Sequence, residues 1–240
     1  MIVHTGGAQV IPLVRGLRVV QPRAGGQWWE IAGQTAVGIY RAVSTAGSVW
    51  GPGPASLAES YINLANPGTY DAAPGTAPSF ATATGWTFNG ITQHLTTGIV
   101  PAKQSWSMLI RFSGATSASV AKALAGCGAN GAQPIFLLRP FNGLQSNTVF
   151  GSGGALVDTQ RITSGVLGVA GATAYADGSS RGAISSGTGG AIVDALVIGA
   201  ANRGGTITEY NNVAIQAVAL YSTTLSAADV AALTIRMNAL

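Results

Sequence analysis

Eight acidic side chains are all that this 240-residue chain offers for carboxylate chemistry: Glu30, Glu59, Asp71, Asp158, Asp177, Asp194, Glu209 and Asp229. A retaining glycosidase works with two carboxyl groups about 5 Å apart. A strand would supply such a pair at alternate positions, where side chains share a face. No two of these acids fall within two residues of each other. Nucleophilic chemistry has no better basis. The histidines are His4 and His94, and no Gly-x-Ser-x-Gly elbow occurs. Cys127, in AGCGANG, reads as a small buried thiol. The SGTGG run at residues 186–190 lacks the Lys-Ser/Thr of a phosphate loop. The sequence therefore predicts a protein that is not an enzyme, with no catalytic residues.

Binding chemistry has more material. A glycan site needs an aromatic platform with amide or guanidinium donors beside it. LLRPFNG supplies Arg139, Phe141 and Asn142, and GAANRGGTITEYNN supplies Asn202, Arg203 and Tyr210. The competing reading is that these asparagines make turns and these aromatics pack. Calcium takes six to eight oxygens, carboxylates among them. Asp71, Asp158 and Asp177 could contribute, but no Asp-x-Asp run exists, so calcium is a candidate ion without assigned ligands, and no other cofactor is expected. Trp28 and Trp29 are adjacent and point to opposite faces if the segment is extended. One of them is expected at a subunit contact, along with Arg15 and Arg18 of the arm before it.

The elements that must carry these residues read as strands. Residues 1–27 form an extended arm broken by Pro12, Gly16 and Pro22, ending in Gly25-Gly26. WWEIAGQTAVGIYRAV has an ambiguous period, and residues 44–80 read mainly as loop. GWTFNG then places Trp86 and Phe88 on one face, with a hairpin corner expected at Asn89-Gly90. SWSMLIRFSG sets Trp106, Met108, Ile110 and Phe112 against Ser105, Ser107, Leu109 and Arg111. IFLLRPF is placed at a sheet edge by Pro134 and Pro140. Asp177-Gly178 marks another hairpin. About ten strands with little helix between them favour an antiparallel sandwich. At the end, Ser226 and Asp229 form a short-armed capping box, and Val230, Leu233 and Met237 make one apolar stripe. That helix is expected to cover an apolar sheet edge. Trp86, Trp106 and Leu233 are expected to share one interior.

Composition narrows the class. Hydrophobic residues make up 47% and charged residues 8%, against about 25% charged in ordinary domains. Such a chain is not a disordered one, and no run of 18 apolar residues exists to span a membrane as a helix. The net charge of +4 comes from scattered cations. Nucleic-acid binding needs clustered ones, and only Arg15, Arg18 and Arg23 come close together. A surface this poor in charge has little repulsion between copies, which suits an assembling subunit. No signal-peptide pattern is legible at the start.

TAYADGSSRG, LVIGAANRGG and VAIQAVALYSTTLSAADVAAL together resemble the C-terminal half of laminin-G-like domains, of the concanavalin-A-like lectin/glucanase superfamily, and GWTFNGITQHLTTG resembles an earlier strand pair. The resemblance covers roughly residues 57–240 and implies an all-β jelly-roll sandwich with a short C-terminal helix. Its motifs are turn and packing residues, so it speaks for fold more than activity. NLANPGTYDAAPGTAPSF is further similar to virion and tail-associated proteins of bacteriophages carrying this domain. The resulting expectation is an arm (1–27) and a sandwich (28–240). Its role would be that of a virion structural protein, located on a virion or extracellularly, a homo-oligomer packing against other virion subunits. The alternative is a carbohydrate-recognition module for host or cell-surface glycans, and a glycosidase comes third.

Overall fold

A computed structural model describes residues 26–102, 105–116, 121–129, 135–142, 145–150, 155–158, 162–185 and 190–240. Most of the expected arm, with Arg15 and Arg18, lies outside the described residues. In chain order the elements are β1 (Ala36–Arg41), α1 (Leu57–Ser60), β2 (Ala73–Thr76), β3 (Ser79–Ala81), β4 (Gly85–Thr87), β5 (His94–Thr96), β6 (Ser107–Ser113), β7 (Ala125–Gly128), β8 (Ile135–Asn142) and β9 (Gln145–Phe150). There follow β10 (Ala155–Asp158), β11 (Gly165–Ala170), β12 (Thr173–Ala176), β13 (Ser179–Ala183), β14 (Val197–Ile198), β15 (Ala201–Arg203), β16 (Thr206–Thr208), β17 (Ala214–Tyr221) and α2 (Ala227–Asn238).

The strands form two sheets. The first runs β13-β12-β11-β6-β17-β4-β3, and β1 pairs with the far end of β17. The second runs β10-β9-β8-β7-β14-β5-β2, and the β15–β16 hairpin joins it along β7. Pairing is antiparallel except for the short parallel register of β15 on β7. The molecule is an all-β sandwich with one C-terminal helix.

Alternation decides what lies between the sheets. Trp86, Met108, Ile110 and Phe112 of the first sheet meet Leu95, Phe136, Leu138 and Ile198 of the second, all buried. Each such side chain contributes about 1.5–3 kcal/mol by leaving water. Trp106 packs half-buried on the margin of this core.

The other face of the first sheet is buried as well. Leu109, Val166, Ala217 and Ala219 point away from the inter-sheet core and meet Val230, Leu233 and Met237 of α2, with Trp28 and Ile39. The capping box is formed: the Ser226 hydroxyl accepts from Asp229 N–H, and the Asp229 carboxylate accepts from Ser226 N–H, both at 3.2 Å. Three expectations change here. The helix covers a sheet face, not an edge. Leu233 therefore lies in a second core, separated from Trp86 by the first sheet. The middle of SWSMLIRFSG, Ser107 to Ile110, is buried on both faces because this third layer exists.

Two turns sort the strands. Asp177 and Gly178 take φ of 47° and 79° and join β12 to β13 as a two-residue hairpin. Asn89-Gly90 does not make a hairpin, because β4 and β5 belong to different sheets. Asn89 Oδ1 instead accepts from the N–H groups of Ile91, Thr92 and Gln93, and the chain crosses over. β8 lies inside its sheet between β7 and β9; Pro140 is tolerated at a register shift between Arg139 and Asn142.

Candidate functional site

Beside α2, on the outer side of the first sheet, the segments before β1 and after it enclose a cleft of about 280 Å³. Three of the chain's five tryptophans line it, Trp28, Trp29 and Trp50, together with Gln27, Arg41 and Glu59. Its size is at the small end for a ligand site.

Local bonding holds each wall. Trp28 and Trp29 sit in a turn closed by Glu30 N–H on the Gln27 carbonyl at 3.1 Å and by Gln27 N–H on the Glu30 carboxylate at 3.0 Å. Their rings meet edge to face at 5.6 Å and 85°, the arrangement that aromatic quadrupoles favour. The Tyr221 hydroxyl donates to the Trp29 carbonyl at 2.5 Å and ties this turn to β17. Glu59 is the third residue after the α1 cap: Ser56 Oγ accepts Glu59 N–H at 3.2 Å, and the Glu59 carboxylate accepts Ala55 N–H at 2.8 Å.

Arg41 builds the floor. It is 5% exposed, at the end of β1, on the same face as Ile39 and Val43. It donates to the carbonyls of Val43 (2.9 Å), Trp50 (3.3 Å) and Gly51 (3.0 Å), which fixes the loop carrying Trp50. Burial lowers its pKa, and the Arg111 charge adds to that. Above, the Arg236 guanidinium lies 6.0 Å from the Trp50 ring centroid and donates to the Glu30 carbonyl at 2.6 Å. The buried indole N–H groups of Trp28 and Trp50 have no acceptor. A buried donor left unmet costs about 1–3 kcal/mol.

The residues expected at a glycan site lie elsewhere. Arg139 and Arg203 come together on the second sheet through Glu209, which Arg139 grips with two bonds, Nε at 2.8 Å and Nη2 at 2.5 Å. Asn202 shapes the β15–β16 turn: its amide donates to the Ala195 carbonyl at 3.1 Å and accepts Gly205 N–H at 3.0 Å. Tyr210 packs against His94, ring centroids 5.9 Å apart. Asn142 ends β8 opposite Gln145. Of the residues expected at a subunit contact, Trp28 is 1% exposed and belongs to the outer core, while Trp29 is half-buried at the cleft. Sequence reasoning missed Arg41, Trp50, Glu59 and Glu209. The Ser56-x-x-Glu59 spacing was a legible helix-start signal, and Trp50 stood out in a Gly/Pro loop. Among the described residues no cluster of three His, Cys, Asp or Glu side chains exists to hold a metal. Asp71 and Asp177 accept backbone N–H bonds in separate turns.

No protein-family model matches the sequence, and no curated protein matches it. Solved structures do. A mutant Trypanosoma rangeli sialidase with trans-sialidase activity superposes with a TM-score of 0.57 at 17% identity, over 85% of this chain and 33% of that one. The T. rangeli sialidase in complex with 2,3-difluorosialic acid, a covalent intermediate, gives 0.55 at 18%, over 92% and 35%. This fold occurs within sialidases. At such identities the likeness shows the fold alone, and the chain spans about a third of the length of these neighbours. It nonetheless corrects the expectation that the protein is not an enzyme, because the architecture is one that glycoside-cleaving proteins contain.

Proposed function

We propose that this chain recognises a saccharide, with the tryptophan cleft as its platform. One observation carries the reading: three tryptophans, Gln27 and Glu59 line one preorganised cleft. A pyranose presents apolar C–H faces for the rings and hydroxyls for the Glu59 carboxylate and the Gln27 amide. Arg41 in its lining, and Arg236 beside the Trp50 ring, oppose a cationic ligand. The sialidase likeness supports glycan interaction over a purely structural role. Within this reading the sandwich is a concanavalin-A-like jelly roll.

The test is a glycan array followed by calorimetry on the best neutral oligosaccharide, with Trp50→Ala and Trp29→Ala variants. Loss of one stacking ring should weaken binding about 5- to 30-fold, that is about 1–2 kcal/mol. Unchanged affinity in both variants would remove the cleft from consideration. The same incubations should be assayed for released sugar, which decides whether the chain also cleaves what it binds.

A second reading, subunit packing on a virion or another extracellular surface, is favoured by the exposure of Val193 (79%), Ile91 (71%) and Val49 (70%) on a surface poor in charge. Light scattering tests it: a discrete oligomer is expected, and a monodisperse monomer contradicts it.

A further inference from the structure

Two cations and one carboxylate meet where β15 and β16 join the second sheet. Gly126 faces Leu137 and Ala201, since a Cβ there would lie 2.2 Å from Leu137 Cδ1 and 3.3 Å from the Ala201 Cβ. Leu137 and Ala201 form a small buried cluster with Ala123 and Ile135. Two residues on along each strand, Arg139 and Arg203 follow on that same face. Glu209 stands between them with side chains 11–15% exposed throughout.

The charges do not balance. Arg139 takes both Glu209 oxygens. Arg203 Nε is left 3.8 Å from Glu209 Oε1, beyond hydrogen-bond range, and its buried Nη1 has no acceptor. A largely desolvated guanidinium without a full partner is costly. Glu209 is meanwhile held at φ 57°, a region a non-glycine residue seldom adopts, by the Ala123 N–H on its carbonyl at 2.9 Å. Strain of this kind persists where surrounding structure enforces it. Here it keeps the carboxylate on Arg139 and leaves Arg203 without a full partner.

We infer that Arg203, backed by Arg139, is a second binding site that takes the carboxylate of an acidic saccharide. The planar fork of a guanidinium matches a carboxylate in two parallel bonds, and an incoming carboxylate would supply the charge and the acceptors that Glu209 does not. This site is separate from the tryptophan cleft and stands or falls independently of it.

The experiment compares polygalacturonate, neutral dextran and dextran sulfate on the intact chain, with Arg203→Gln, Arg203→Lys and Trp50→Ala variants checked for unchanged melting. Polygalacturonate should bind, dextran should not bind through this site, and affinity should fall at least fivefold in Arg203→Gln. Arg203→Lys should be weakened as well, because a point charge lacks the fork, and the fold-loss of Arg203→Gln should be the same on a Trp50→Ala background. Wild-type affinity in Arg203→Gln overturns the inference. Equal binding of dextran sulfate, lost equally in Arg203→Gln, overturns the carboxylate assignment in favour of simple charge attraction. A loss confined to Trp50→Ala leaves the cleft as the saccharide site and rejects this one.

Discussion

The Arg41 guanidinium is bonded to the Trp50 carbonyl at 3.3 Å, and through it a buried strand end holds the aromatic wall of the cleft. The same side chain satisfies Val43 and Gly51. Positioning and stability are thus properties of one group.

Arg41→Ala should cost about 2–4 kcal/mol, because three inward carbonyls lose their donor. Arg41→Lys should recover only part of that, since one ammonium cannot span three acceptors set around a planar fork. Urea denaturation measures both. Saccharide affinity should fall with them as the Trp50 loop loosens.

Asn63 makes four bonds with no exposure. Its Oδ1 accepts from Ile39 (2.9 Å) and Ala65 (3.2 Å), and its Nδ2 donates to the carbonyls of Val37 and Thr69 (both 2.8 Å). Asn63→Asp keeps the shape but turns acceptor oxygen towards two carbonyls. A loss of about 2–4 kcal/mol is expected, read as a lowered denaturation midpoint. A change of only about a few tenths of a kcal/mol would show that the loop re-forms its bonds elsewhere.

The helix layer is testable from both ends. Leu233→Ala should destabilise the chain by about 2–5 kcal/mol, as for a fully buried leucine. Ser226→Ala should cost about 1 kcal/mol through the lost cap. If α2 merely rested on the surface, Leu233→Ala would behave like the cap variant.

Alkaline pH should weaken the fold. Burial, aided by the Asp71 charge, holds the Tyr40 hydroxyl far above its ordinary value. Burial does the same for Tyr221, where Arg236 pulls the other way and Asp229 adds to the rise. Unfolded tyrosines ionise near pH 10, while these two stay protonated in the folded chain. The folded state then binds more protons, so stability is full below about pH 10 and declines as pH rises beyond it. Unfolding midpoints at successive pH values should follow that course. Tyr40→Phe should flatten the decline while losing, at every pH, the bond to the Tyr70 carbonyl.

What the residues determined by themselves was local. Alternation in GWTFNG and SWSMLIRFSG selected the inward faces of β4 and β6, because a strand repeats every two residues whatever it packs against. Asp177-Gly178 selected a hairpin because both residues take positive φ, and Ser226 with Asp229 marked the start of α2 by short-range bonding. Which sheet a strand joined was decided only in three dimensions. The Asn89-Gly90 turn looks the same in a string of letters whether the chain doubles back or crosses over. The third layer, and with it the cleft, depends on contacts across the whole chain: Arg236 reaches Glu30, and Tyr221 reaches Trp29. The candidate sites follow that division. Arg139 and Arg203 could be picked out as guanidinium donors near aromatic residues, but their meeting at Glu209, and the gathering of Trp28, Trp29 and Trp50 around Arg41, required chain segments far apart in sequence to pack, which no local pattern encodes.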